Sequence, residues 1–173
     1  AIAEKLTAHV LSAGLGGTGL RRLAEVADTS DRMLLYYFEN KEEILSAVLG
    51  RIASGLTDAL EAILGNAPMP PARALETIWA MIKQDAAADQ LRLWLDLSSH
   101  ASRGDPFFQE MVARIGTDWV AWLSGILDVP DEDKAALAVL MMAAVDGQVV
   151  LFPTDLTKGD AAIRELVRML EER

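Results

Sequence analysis

Apolar residues recur at spacings of three and four along the whole chain, and no stretch alternates convincingly with period two. The pattern commits the chain to α-helices. Breakers then divide them. Gly14, Gly16 and Gly17 end a first helix that begins near Ile2. Thr18 is a candidate cap for a short second helix reaching about Ala27, since its hydroxyl can accept an orphan N–H of the next turn. Asp28-Thr29-Ser30-Asp31 reads as a turn and cap, and a third short helix follows to about Phe38. Asn40 caps a long fourth helix whose apolar stripe is Ile44, Leu45, Val48, Leu49, Ile52, Leu56, Leu60, Ile63 and Leu64.

The strongest loop signal is Gly65-Asn66-Ala67-Pro68-Met69-Pro70-Pro71. Helices are expected from about Ala72 to Ala87 and from Asp89 to about Ser102. After Gly104-Asp105-Pro106 a long helix carries Phe107, Phe108, Met111, Ile115, Trp119, Trp122, Leu123 and Ile126. Pro130 followed by Asp131, Glu132 and Asp133 opens the next, acidic residues being suited to the positive end of the helix dipole. It reaches Phe152, and a last helix spans about Asp160 to Glu172. The expectation is an all-α chain of nine helices, with no strand and no internal repeat.

Apolar residues make up 51% of the 173, enough for a real core, and disorder is excluded. The absence of cysteine excludes disulfides, thiolate zinc sites and cysteine nucleophiles, and fits a cytoplasmic location. No uninterrupted apolar run approaches the ~18 residues of a membrane span, so a soluble protein is expected. The start at Ala1, without methionine or a signal-peptide layout, reads as a processed or trimmed terminus with room for a short disordered arm before it. His100 follows Asp96 by four positions, but one imidazole and one carboxylate do not make a metal site. No Gly-x-Ser-x-Gly-like turn offers a catalytic nucleophile. Neither an enzyme nor a cofactor is indicated.

The formal net charge of −10 argues against a nucleic-acid partner until it is divided by region. Residues 1–50 carry a net −2 and residues 51–173 a net −8, so the acids are concentrated in the second region. Four of the first region's five basic groups, Arg21, Arg22, Arg32 and Lys41, lie in or beside the second and third helices. Two short helices joined by a four-residue turn suggest a helix-turn-helix. Adjacent helical residues lie about 100° apart, so Tyr36, Tyr37 and Phe38 cannot all be buried on one narrow face. Phe38 is expected inside and at least one tyrosine outside. Lys41 stands at a helix start, where cations are disfavoured, and so invites an anionic partner.

From Gly14 to Leu45 the chain reads GLGGTGLRRLAEVADTSDRMLLYYFENKEEIL. This resembles the DNA-binding domain of TetR-type transcriptional regulators over about residues 2 to 50. The resemblance is carried by Gly14, Thr18, the run Arg21-Arg22-Leu23-Ala24-Glu25-Val26-Ala27, Ser30, Tyr36-Tyr37-Phe38 and Lys41, with Asp146-Gly147 as a further family-like pair. Leu35 stands where the family usually has tyrosine, Asp28 where the turn usually has glycine, and Arg32 where the recognition helix often has glycine. Asp31 brings a carboxylate to a helix that should approach phosphates; it would repel them or accept from a cytosine amino group.

The resemblance implies a helix-turn-helix domain at 1–45 and a ligand-binding, dimerising body at 46–173. It implies a repressor bound as a dimer to a near-palindromic double-stranded operator and released by a small, mostly apolar effector. Thr18, Tyr37 and Lys41 would hold phosphates, Arg21, Arg32, Met33 and Tyr36 would face the major groove, and Asp31 would stand with them at the DNA in one of its two roles. In the body, Trp79, Trp94, Leu97, His100, Phe107, Met111, Trp119 and Met142 are the candidate effector contacts, though helically spaced aromatics are as readily plain core. His100 is either a helix-surface partner of Asp96 or a polar anchor for the effector. The homodimer is expected on the last two helices, through Leu137, Leu140, Met141, Ala144 and Val145 and through Ile163, Leu166, Val167 and Leu170. The alternative is a helical small-molecule carrier of the same fold that has lost DNA binding.

Overall fold

The computed structural model describes residues 2–65 and 67–172. Ala1, and Asn66 of the expected proline-rich loop, lie outside the described residues. Nine α-helices are present among the described residues: α1 (Ile2–Ala13), α2 (Leu20–Val26), α3 (Asp31–Tyr37), α4 (Lys41–Leu64), α5 (Pro71–Ile82), α6 (Ala88–Ser102), α7 (Pro106–Ile126), α8 (Asp131–Leu151) and α9 (Asp160–Glu171). Short 3-10 turns precede α2, α6 and α9. Prolines open three elements, where their missing N–H and fixed φ cost nothing. The Asp105 carboxylate accepts from the N–H groups of Phe107 (3.1 Å) and Phe108 (3.3 Å) and so caps α7. The only β-type pairing among the described residues is an isolated bridge: Met69 N donates to Ile126 O (2.8 Å), and Asp128 N to Met69 O (2.9 Å).

One expected boundary moves. The helix expected over residues 72–87 ends at Ile82, because Gln84 leaves helical geometry at ψ 145°. The run Asp85-Ala86-Ala87 keeps its helical tendency, but as a 3-10 entry to α6 rather than the exit of α5.

The chain forms two compact units: residues up to Leu56 together with Arg92–Ile115, and Thr57–Leu91 together with Gly116 onward. In the first, Leu6 and Val10 of α1, Leu23 and Ala24 of α2 and Leu34 of α3 are buried, as are Ile44, Leu45, Val48 and Leu49 of α4 and Leu93, Leu97 and Met111 of α6 and α7. Arg114 of α7 donates to Ser46 Oγ of α4 (3.1 Å). The stripe of α4 is only partly covered: Ile63, expected inside, is 60% exposed.

In the second unit α5 packs along α9. Ile163, Val167 and Leu170, at i, i+4 and i+7, are buried. This corrects the expected dimer face. The apolar stripe of α9 is taken by α5 of the same chain, and Leu137 and Met141 of α8 are buried too. What remains outside on α8 is Val139, Leu140, Val150 and Leu151 among large side chains, with Met169 on α9. With Asp146 as its one charge between Ala135 and Leu151, α8 has the length and composition of a membrane span, despite the absence of an unbroken apolar run. The acidic turn at its start and its four buried side chains belong equally to a helix packed in protein.

A polar clamp fixes the α5–α9 pair. The Asp160 carboxylate, at the first position of α9, accepts from Trp79 Nε1 (2.7 Å) and from Lys83 Nζ (2.7 Å). The ammonium also lies 5.6 Å from the centroid of the Trp79 ring. The Lys83 and Trp79 hydrogen bonds hold the Asp160 carboxyl below its ordinary value, with the Lys83 charge adding to the effect. A carboxylate lowered on folding contributes stability above its unfolded value, and that contribution disappears as pH falls through the folded value. The melting temperature of Asp160→Asn should therefore fall short of wild type most clearly near neutral pH. The gap should close on acidification below about pH 4, the ordinary aspartate range. Circular dichroism melts across that range test it; a gap unchanged by pH would show that the charge of Asp160 does not matter.

Candidate nucleic-acid interface

The approach to α2 is a tight, glycine-dependent turn. Gly14 sits at φ 65°, ψ −168°, a region open essentially to glycine, and the 3-10 turn Leu15–Gly17 follows. Thr18 is buried, and its hydroxyl donates to Leu15 O (2.6 Å). The cap expectation for Thr18 is thereby corrected. The residue closes the 3-10 turn rather than capping α2, whose N-cap is Gly19.

A Schellman motif then separates α2 from α3. Thr29 N donates to Ala24 O (2.9 Å) and Asp28 N to Glu25 O (3.1 Å). The motif needs a left-handed residue at its apex, and Asp28 supplies it at φ 52°. This is the position at which glycine was the expected residue; aspartate is among the few side chains that tolerate the conformation. Its carboxylate also pairs with Lys5 of α1. Ser30 Oγ accepts from Met33 N (3.2 Å) and caps α3. Beyond α3, Asn40 Oδ1 accepts from Glu43 N (2.8 Å) and the Glu43 carboxylate accepts from Glu39 N, a variant of the capping box that fixes the start of α4.

Leu34 is the one buried side chain of α3. Tyr36 is 77% exposed and Tyr37 64%, their rings edge to face with centroids 5.1 Å apart. Both tyrosines, not just one, thus face outward, and Phe38 is half-buried. Arg21 and Arg22 both reach Glu25, at 3.4 Å each, in exposed pairs that contribute little to stability. Arg32 and Lys41 are exposed and make no ion pair among the described residues. Asp31 lies in the first turn of α3, favourable to that helix. The surface so built presents two unengaged cations, two tyrosines, Met33 and Leu35 on a firmly capped helix.

The candidate effector contacts divide between the units. In the first, Leu97 and Met111 are buried, while Trp94, His100 and Phe107 are half-buried. His100 stacks at a tilt on Phe108, centroids 4.8 Å apart, and Phe108 meets Phe107 edge to face at 5.1 Å. Phe108, which the sequence spacing did not single out, is thus a member of the cluster. In the second unit the Trp79 ring is buried and its indole N–H is committed to Asp160. Trp119 and Met142 are half-buried there, and Trp119 packs edge to face on Trp122 at 5.4 Å. The Trp122 indole nitrogen is buried with no hydrogen-bond partner among the described residues, a free donor that periodicity alone could not reveal.

Within the first unit Asp96 ties α6 to the turn before α2. Its carboxylate accepts from Leu15 N (3.0 Å), 81 residues away, and lies 3.8 Å from His100 Nε2. Among the described residues no group of three or more His, Cys, Asp or Glu side chains could hold a metal ion.

Residues 7–48 match the family of bacterial regulatory proteins, tetR family. No curated protein matches the chain in sequence. Among solved structures it is similar to a transcriptional regulator from Rhodococcus sp. Rha1, with 21% identity, coverage of 99% of this chain and 94% of the other, and a TM-score of 0.72. It is similar also to a TetR-family transcriptional regulator from Cytophaga hutchinsonii, with 19% identity, coverage of 99% and 92%, and a TM-score of 0.77. A third is the regulator FadR from Bacillus subtilis in complex with stearoyl-CoA, with 15% identity, coverage of 98% and 95%, and a TM-score of 0.68. At these identities the structures establish the shared fold.

The left-handed apex gives a stability prediction. Asp28→Asn and Asp28→Gly should stay within about 0.5 kcal/mol of wild type, whereas Asp28→Val should lose about 1–2 kcal/mol to backbone strain. Urea unfolding of the three variants measures this; equal stabilities would remove the conformational requirement.

Proposed function

We propose that this chain, whose helix-turn-helix segment belongs to the tetR family of bacterial regulatory proteins, is a cytoplasmic, ligand-responsive transcriptional repressor. Residues 1–45 would bind DNA and residues 46–173 would take the effector and form the dimer. The observation that carries the reading is the exposed surface of α3 with Lys41 beside it: Arg32, Tyr36 and Tyr37 stand outward on a capped helix with a single buried leucine, the two tyrosine rings meet each other, and Arg32 and Lys41 make no ion pair among the described residues. Lys41 and Tyr37 would hold phosphates, and Arg21, Asp31, Arg32, Met33 and Tyr36 would face base edges.

The dimer is assigned to α8, revised to the side chains that remain outside: Val139, Leu140, Val150 and Leu151, with Met169 of α9. A second copy covering this face would bury an apolar helix that otherwise stands in water, and two-fold symmetry would pair two recognition helices with a near-palindromic operator. For the effector, the ring cluster of His100, Phe108 and Phe107, on helices that also carry the half-buried Trp94 and the buried Leu97 and Met111, suits a small, mostly apolar molecule. The related fold of Bacillus subtilis FadR holds stearoyl-CoA, a ligand with a long apolar part. The Asp96–Leu15 hydrogen bond gives such a molecule a way to act: an effector that draws Asp96 or His100 aside favours a state in which the turn before α2 is no longer held. Operator affinity then falls by the effector's difference in affinity between the two states, and no more.

One observation favours the carrier reading: Asp31 and the other acids give residues 1–50 a net charge of −2. Selecting bound sequences from random duplexes separates the two. The repressor reading expects a near-palindromic site bound with salt-dependent affinity; no salt-dependent affinity for any duplex hands the result to the carrier.

On the selected site, Lys41→Ala should weaken all sequences alike and reduce the salt slope by about one unit, one phosphate contact being lost. Arg32→Ala or Arg21→Ala, if bidentate to guanine, should cost ~1–3 kcal/mol at one base position. Asp31→Asn should raise general affinity if the carboxylate repels phosphate and relax selectivity if it reads cytosine. For the dimer, Val150→Glu combined with Leu151→Glu should give a helical monomer with impaired operator binding. Sedimentation that still shows a dimer would place the interface elsewhere.

A further inference from the structure

We infer that α3 reads thymine through its 5-methyl group, with Leu35 and Met33 as the specificity-determining side chains. The inference rests on the DNA-binding reading above and gives the base class that this site selects. With Leu34 taken as the inward direction, the helical period places Arg32 and Tyr36 within about 20° of the outward direction, and Leu35 and Met33 about 80° to either side. The outermost ridge of the helix is therefore polar and cationic, and each flank carries one aliphatic side chain, Leu35 with Asp31 four residues before it and Met33 with Tyr37 four residues after it. Leu35 and Met33 are each 43% exposed, on a helix whose total length is seven residues. Aliphatic groups standing in water beside Arg32, with Lys41 just beyond the helix, point to an occupant that is both anionic and locally apolar.

The major groove of a duplex offers one apolar group among its base edges, the C5 methyl of thymine. Leucine or methionine against it buries apolar surface on both sides. The same side chains against adenine N6, cytosine N4 or guanine O6 would strip water from a polar group and return no hydrogen bond. Discrimination thus comes from attraction to thymine and from rejection of the other edges. Leu35 also stands where the family usually has tyrosine, so this preference is a property of the chain's own sequence. A protein partner on the same patch is the competing occupant, and the charged border argues against it.

The test uses the full-length protein and the tightest selected duplex, with each thymine replaced in turn by deoxyuridine, which removes the methyl and nothing else. One or two positions per half-site should weaken binding about fourfold, the effect of losing one buried methyl group. In Leu35→Ala one of those positions should become indifferent to the replacement, and in Met33→Ala another. Leu35→Gln supplies a gain of function: preference at its position should move from thymine to adenine, which glutamine engages bidentately. A parent duplex bound in a salt-dependent way, with no position sensitive to deoxyuridine, overturns the methyl readout and leaves the DNA-binding reading standing. Absence of salt-dependent binding to any duplex overturns both. A Leu35→Ala protein that changes its oligomeric state instead of its base preference assigns the patch to protein.

Discussion

Helix α3 is held almost entirely by its ends. Seven residues are too few for a helix to persist in water on its own, and Leu34 alone anchors this one in the core. The rest of its stability and all of its aim must come from the flanking turns. The Schellman motif at Asp28 fixes how α2 hands over to α3, the Ser30 hydroxyl satisfies an orphan N–H at the start, and the Asn40–Glu43 caps fix where α4 begins. Because the turns carry the orientation, every side chain of α3 except Leu34 faces outward. A longer helix with a conventional buried stripe would have had to withdraw half of them.

The second unit solves the opposite problem. Here α9 is strongly two-faced, with Ile163, Val167 and Leu170 inside and Arg164, Glu165 and Arg168 outside, and it lies against α5. The Asp160–Trp79–Lys83 clamp sets the register of that pair at one end. The neighbouring α8 carries more apolar surface than its own chain covers, because its apolar residues run all around the helix rather than along one stripe. Thus α9 is satisfied internally, whereas α8 stays half-covered.

Local signals in the sequence anticipated much of this. Periodicity located the helices, prolines and caps located most of their starts, and the Arg21–Lys41 motif located the outward-facing helix. What escaped was partner choice. A stripe such as that of α9 shows which face is apolar but not which element covers it, and its cover, α5, lies about ninety positions earlier. The same limit applies to Trp79, whose indole answers a carboxylate 81 residues on, and to Asp96, whose partner is a backbone N–H equally far back. The cap reading of Thr18 falls for a different reason. A hydroxyl can accept or donate, and only the buried Leu15 carbonyl decides between the two. Phe108 and Trp122 were visible as aromatics, but a ring's neighbours and an unpaired N–H are properties of packing.

The reach of Asp96 also has a consequence for the order in which the protein takes shape on the ribosome. The first unit is discontinuous, with its N-terminal stretch completed only by Arg92–Ile115. At about 5–20 residues per second, the carboxylate that holds Leu15 emerges roughly 4–16 seconds after its partner. Through that interval α1, α2 and α3 can collapse on their own leucines while the turn that aims them is still unheld. The nascent N-terminal stretch is thus compact before it is oriented, and α6, arriving later, sets its final geometry.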